Sequence, residues 1–136
     1  MLPTYNRIQI KKADEATILR EPVSSLQLME RAAHQFCKWF VQHVDNRCSV
    51  AIVCGTGNNG GDGLAIARLL EGWHYQVHVY IVTTQLIPSP DFEENKKRWQ
   101  EDKTENFTES TSLLGFDVII DAILGTGTNR KVEGIV

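Results

Sequence analysis

The chain has 136 residues, 42 % hydrophobic and 23 % charged, with a formal net charge of −3 at pH 7, the size of one domain with a core of its own. Its mildly acidic, interspersed charge leaves no basic field for nucleic acid or an anionic membrane, and its longest apolar runs are far too short to span a bilayer. Cys37, Cys48 and Cys54 show no Cys-x-x-Cys spacing, and no apolar core follows the N-terminus; reduced, mostly buried thiols in a cytoplasmic protein are the expectation.

A short amphipathic stretch at 11–19 comes first. Residues 24–44 then place Leu28, Met29, Ala32, Ala33, Phe36, Phe40, Val41 and Val44 on one broad helical face. Ser24 with Gln27 three residues on marks the start of that helix as a capping box. Residues 50–54, Val-Ala-Ile-Val-Cys, are apolar throughout, as suits a parallel strand covered on both faces. The glycine-rich segment 55–63 follows as a loop, then a short helix over 64–70 ending near Gly72 and a second strand over 77–82. Strand, loop, helix, strand is a βαβ unit with a right-handed crossover. Ser89 and Pro90 start a charged helix over about 90–101, docked by Phe92 and Trp99 and otherwise solvated. A polar stretch leads to a third buried strand over 116–121.

The segment 55–63 reads Gly-Thr-Gly-Asn-Asn-Gly-Gly-Asp-Gly and formally contains Gly-x-Gly-x-x-Gly between a strand and a helix. Two features oppose an ordinary dinucleotide site. The second strand ends in Val82-Thr83-Thr84, without an acid for a ribose, and Asp62 would repel a phosphate on the helix's first amides. Glycines that permit positive φ and close approach, with uncharged donors and acceptors on Asn58 and Asn59, suit a hydroxyl-rich ligand or a hard cation. A second such loop follows the third strand, from Asp121 through Gly125, Thr126, Gly127, Thr128, Asn129 and Arg130 to Lys131. With sheet order 2-1-3 the two loops emerge side by side at the switch point, where open α/β sheets bind ligands. Asp121 either holds a cation against the Asn58-Asn59 turn or caps the following segment. Arg130 and Lys131 bind a phosphate or are merely solvated. His34, His43, His74 and His78 lack ligand spacing, and Trp39, Trp73 and Trp99 read as packing residues.

These loops resemble those of the YjeF N-terminal domain family, the NAD(P)H-hydrate epimerases, which carry Gly-x-Gly-Asn-Asn-Gly-Gly-Asp-Gly and a later Asp-Ala-x-x-Gly-Thr-Gly. Leu28-Met-Glu-Arg-Ala-Ala33 is similar to the family's Leu-Met-Glu-x-Ala-Gly, so the likeness runs from about Asp14. It implies a Rossmann-like three-layer αβα sandwich with a mainly parallel sheet, commonly dimeric, that interconverts the R and S forms of hydrated NADH and NADPH. It further implies substrate contacts from Asn58, Asn59, Gly60, Gly61, Asp62 and the Gly125 to Lys131 loop, and a potassium ion on Asn59 and Asp121. It also allows a dehydratase partner, either fused behind the domain on the same chain, as in some related proteins, or separate. The family's catalytic aspartate belongs to a later Asp-x-Pro-Ser-Gly motif that the sequence does not reach by Val136, so 1–136 is expected to be the N-terminal portion of a single domain. A non-catalytic nucleotide- or protein-binding module of the same fold is the alternative. An ordinary NAD-dependent oxidoreductase is disfavoured, because no Tyr-x-x-x-Lys or similar hydride-transfer constellation is present.

Overall fold

The computed structural model describes residues 24–124. The amphipathic stretch at 11–19 and the loop from Gly125 to Lys131 lie outside the described residues. Helix α1 spans Ser25–His43, and its capping box is made: the Ser24 hydroxyl accepts from the Gln27 amide at 3.1 Å while the Gln27 side chain accepts from the Ser24 amide at 3.1 Å. Leu28, Met29, Ala33, Phe36, Cys37 and Phe40 are buried. Val41, expected on that face, is exposed, and Cys37 takes its place, because the stripe that meets the next helix is narrower than the sequence suggested.

Strand β1 is Ser49–Cys54, helix α2 Asn58–Gly72 and strand β2 Gln76–Ile81. Helix α3 is Pro90–Arg98, capped by the Ser89 hydroxyl with Pro90 in its first turn. Acids stand in its first turn and bases in its last, which complements the helix dipole. Phe92 and Trp99 anchor it, being 2 % and 6 % exposed. A 3-10 turn at Glu101–Lys103 leads to strand β3, Thr104–Asn106, and strand β4 is Val118–Ala122. The sheet is fully parallel in the order β3-β2-β1-β4, with Ile52 opposite Val79 on one side and Ile120 on the other. The order expected for the three longer strands holds, and the α/β class with it. Strand β3 was missed, since three polar residues on a sheet edge carry no apolar alternation.

The two faces of the sheet are covered differently. Val50, Ile52, Cys54, Val77, Val79, Ile81, Ile120 and Ala122 join residues of all three helices in the larger core. Helix α2 lies on the strands while α1 and α3 flank it, so it is buried almost all round over its first ten residues. On the other face Ala51, Val53, Tyr80 and Ile123 form a smaller cluster with Phe107, Leu113 and Phe116 packed against it. The chain puts them there by topology. Between β3 and β4 it reverses direction across the sheet, and a right-handed crossover that reverses must pass over the opposite face. Phe107 and Phe116, near the two ends of that crossing, meet the Tyr80 ring edge-on at 6.2 and 6.0 Å. Ile119 and Asp121 of β4 are exposed, so this strand is buried on one face rather than two, as had been expected of it. No helix among the described residues is long and apolar enough to cross a membrane.

Candidate functional site

The reversal of strand order falls between β1 and β4, so their carboxyl ends open on the switch point. The glycine-rich segment emerges there, but it is not one long loop. The turn is only three residues, 55–57, and helix α2 begins at Asn58, six residues earlier than the sequence suggested. Helix propensity disfavours Asn-Asn-Gly-Gly-Asp-Gly, and tertiary packing overrides it. None of the described glycines adopts a positive φ; what they supply is close approach. A Cβ on Gly60 would stand 1.7 Å from the Gly55 carbonyl oxygen, and one on Gly63 2.7 Å from both Ala122 Cβ and Cys54 Sγ. Gly61 faces the other way, where a Cβ would meet the Met29 sulfur at 3.1 Å. The Leu28-Met29 segment therefore does pack, as read from its place in the apolar stripe.

The turn is clamped from both sides. Toward β4, the Gly55 amide donates to the Ala122 carbonyl at 3.0 Å and Asn59 Nδ2 donates to the Leu124 carbonyl at 2.7 Å. Toward β2, buried Thr56 is the hub. Its amide donates to Thr84 Oγ1 at 3.0 Å, its hydroxyl accepts from the Thr84 and Gln85 amides at 3.2 Å each, and its carbonyl accepts from the Ser89 amide at 3.0 Å. Thr56 and Thr84 escaped sequence reasoning. The available signal was a threonine between two glycines answered by Thr83-Thr84 at the end of the next strand.

Three polar side chains are buried around this turn: Thr56, Asn59 and Asp62, at 4 %, 7 % and 9 % exposed. Asn59 Oδ1 has no hydrogen-bond partner among the described residues. A buried amide oxygen left in this state costs about 1–3 kcal/mol, so a ligand or cation that met it would be stabilised by that deficit. Asp121 is exposed at the end of β4, where its Oδ1 accepts from the Ile123 amide at 3.1 Å. Asn59 and Asp121 thus both bind backbone of the 122–124 turn. Asn58 is exposed on the first turn of α2, whereas Gly60 and Gly61 are buried against the protein's own atoms. Among the described residues no group of three His, Cys, Asp or Glu could hold a metal ion. A hard monovalent cation does not need one, since carbonyl, amide and single carboxylate oxygens suit it.

The nearest thiol, Cys54, is fully buried and burial drives its pKa far up, so it is no nucleophile. Cys37 is likewise pushed up to about 12, by burial first and then by the Glu30 carboxylate. The histidines pack or stay at the surface: His43 stacks on Trp39, and His78 lies between Tyr80 and Phe116. Trp99 is buried with its Nε1 donating to Thr104 Oγ1, but Trp73 is 40 % exposed and does not serve the core as expected. A cavity of about 330 Å³ lined by Ser49, Tyr75, Gln76, His78, Lys103 and Phe116 lies at the opposite, amino end of the strands, away from the paired turns.

Known proteins resemble this arrangement over nearly its whole length. The chain is 39 % identical to an NAD(P)H-hydrate epimerase of Anaerococcus prevotii, across 93 % of this chain and 61 % of that protein. It is 34 % identical to a bifunctional NAD(P)H-hydrate repair enzyme of Thermofilum pendens, across 93 % of this chain and 26 % of that one. The crystal structure of yeast ynu0 superposes with a TM-score of 0.63 at 21 % identity, over 97 % of this chain and 60 % of the yeast chain. The chain therefore spans about three fifths of the epimerase it matches and about a quarter of the bifunctional enzyme. The family model for the YjeF-related protein N-terminus matches residues 25–136, and the chain belongs to that family.

Proposed function

We propose that this chain belongs to an NAD(P)H-hydrate epimerase, which interconverts the R and S hydrates of NADH and NADPH. The observation that carries the reading is the meeting of the two turns through Asn59, whose amide nitrogen holds the Leu124 carbonyl while its buried oxygen keeps a free valence among the described residues. That oxygen suits a substrate hydroxyl or a cation better than a phosphate. The names of the relatives supply the substrate class.

In the hydrate, the hydroxyl-bearing ring carbon is bonded to nitrogen. The nitrogen lone pair expels the hydroxyl, which leaves as water with a proton from an acid. Water then adds to the other face of the iminium and returns the proton, so nothing is consumed and only configuration changes. The family resemblance assigns the acid to the later Asp-x-Pro-Ser-Gly segment. Asn58, Asn59 and Asp62 would orient the substrate with Gly125, Thr126, Gly127, Thr128, Asn129, Arg130 and Lys131, while Gly60 and Gly61 would act by letting α2 pack closely behind them. Asn59 and Asp121 would hold a potassium ion, which when bound supplies fixed positive charge beside the substrate. A homodimer, a dehydratase fused to or working beside the domain, and a cytoplasmic location complete the proposal.

The test follows the ratio of the two hydrate epimers by NMR with the full-length protein. Equilibration faster than the spontaneous rate is expected, and no acceleration would end the reading. Asn59→Ala should lower kcat roughly tenfold or more, and should cost about 1 kcal/mol of stability through the lost bond to Leu124. It should also remove any rise of Tm with potassium over sodium, a change that would appear even in a protein assayed without substrate.

A further inference from the structure

Strand β2 leads into a loop with an unusual tip. Leu86 and Ile87 are 99 % and 81 % exposed, adjacent in sequence, on the carboxyl side of the sheet next to the clamped turn. Single exposed apolar residues are ordinary; a neighbouring pair held beside a site is not. The tip is held in place from both sides. The Gln85 amide donates to Thr56 Oγ1 at 3.2 Å, Gln85 Nε2 donates to the Ile87 carbonyl at 2.8 Å, and the Ser89 amide reaches the Thr56 carbonyl at 3.0 Å. A Cβ on Gly57 would lie 2.9 Å from Gln85 Oε1, so the loop and the glycine turn are in direct contact. Pro88 restrains Ile87 further.

Resting on the epimerase reading, we infer that Leu86 and Ile87 form the apolar contact for the adenine ring of the dinucleotide substrate. Charge decides which part of the substrate they meet. From Val82 to Pro90 no residue is charged, so this side of the turn has nothing to neutralise a pyrophosphate. The end of β2 also lacks a carboxylate for an adenosine ribose. An uncharged planar ring is what remains, and its flat face gains by covering aliphatic carbon. The position agrees, because this loop is one strand further from Asp121 than the turn itself, as the non-reacting end of a dinucleotide should be. A second protein chain is a poorer occupant: two side chains fall well short of the roughly 800 Å² that each partner gives to a stable interface.

The test is the double variant Leu86→Ser/Ile87→Ser in the full-length protein, read in two ways. With hydrated NADH the variant should show a KM raised roughly tenfold with kcat kept, while with hydrated reduced nicotinamide mononucleotide, which lacks adenine, KM should not move. Titration with AMP should show binding by the parent protein weakened roughly tenfold in the variant, with Tm and molecular mass unchanged. Leu86→Met/Ile87→Leu should restore both. Equal KM changes for the two substrates, unaltered AMP binding, no AMP binding by the parent, or dissociation of an oligomer in the variant would each overturn the inference. Should the parent protein bind AMP through this tip yet accelerate no epimerisation, the adenine contact stands while the epimerase reading, and with it the dinucleotide hydrate as the ligand, fails.

Discussion

The two ends of helix α2 use small and unusual residues in opposite ways. At its first two turns Gly60, Gly61 and Gly63 are each hemmed in, with a Cβ meeting backbone or packed side chains at 1.7 to 3.1 Å. At its last residue, Gly72, a Cβ would find nothing within 4 Å. Two residues further on, where a helix commonly ends on glycine, His74 takes the left-handed conformation at φ 68°. The same helix thus spends conformational strain where glycine is absent and places glycine where no strain requires it. Only the first group positions the site: Gly60 and Gly63 let α2 sit close enough to the turn and β4 for Asn59 to reach the 122–124 turn, while Gly61 lets Met29 and Phe92 close over the other side of the helix.

That contrast assigns the largest effect to Gly60→Ala. The new methyl would overlap the Gly55 carbonyl, a backbone atom that the bond from Gly55 to Ala122 already fixes. The turn would have to open, with a loss of about 3 kcal/mol or more. Urea unfolding of the full-length protein measures it, and a loss under about 1 kcal/mol would show that the turn is softer than its hydrogen bonds imply.

Gly72→Ala should go the other way. The position is helical and open, so alanine gains its intrinsic advantage with no clash, about 0.5–1 kcal/mol of added stability. The proposed epimerisation should not change, since this end of α2 is at the amino end of the strands. A fall in stability would mean that the residue serves a contact outside the described residues.

How much of this was legible beforehand follows from the same residues. The strands 49–54 and 76–81 and helix α1 were readable because runs of apolar residues with the right period leave few alternatives, and Ser24 with Gln27 fixed the start of α1. The start of α2 was not readable. Asparagine and glycine in sequence look like a loop, and only the packing of Met29, Phe92 and Ala122 around them makes that stretch helical. The switch point was legible from two glycine-bearing loops after two apolar strands. The Thr56 hub was not, since it joins residues 28 and 29 positions apart through side-chain oxygens. Leu86 and Ile87 carried no signal either, because the sequence beyond the strand at 77–82 does not tell whether an apolar pair in a loop is covered or exposed.

The smallest effect tests the far end of α2 most directly. The amides of His74 and Tyr75 donate to the carbonyls of Glu71 and Leu70, at 3.0 and 3.1 Å, so the helix closes in a Schellman turn with histidine in the left-handed position. An L-residue there bears about 1–2 kcal/mol of steric strain, which glycine would relieve. Glycine also widens the unfolded ensemble, at a cost of about 0.4–1 kcal/mol. His74→Gly should therefore stabilise the protein by about 0.5 kcal/mol, less than the gain at Gly72, and the midpoint of urea unfolding would register it. The His74 side chain is exposed, so nothing in the core is lost by removing it. A destabilised variant would mean that the imidazole has a partner of its own, and strain tolerated at the amino end of the strands would then need a functional explanation, as the glycines at the other end do.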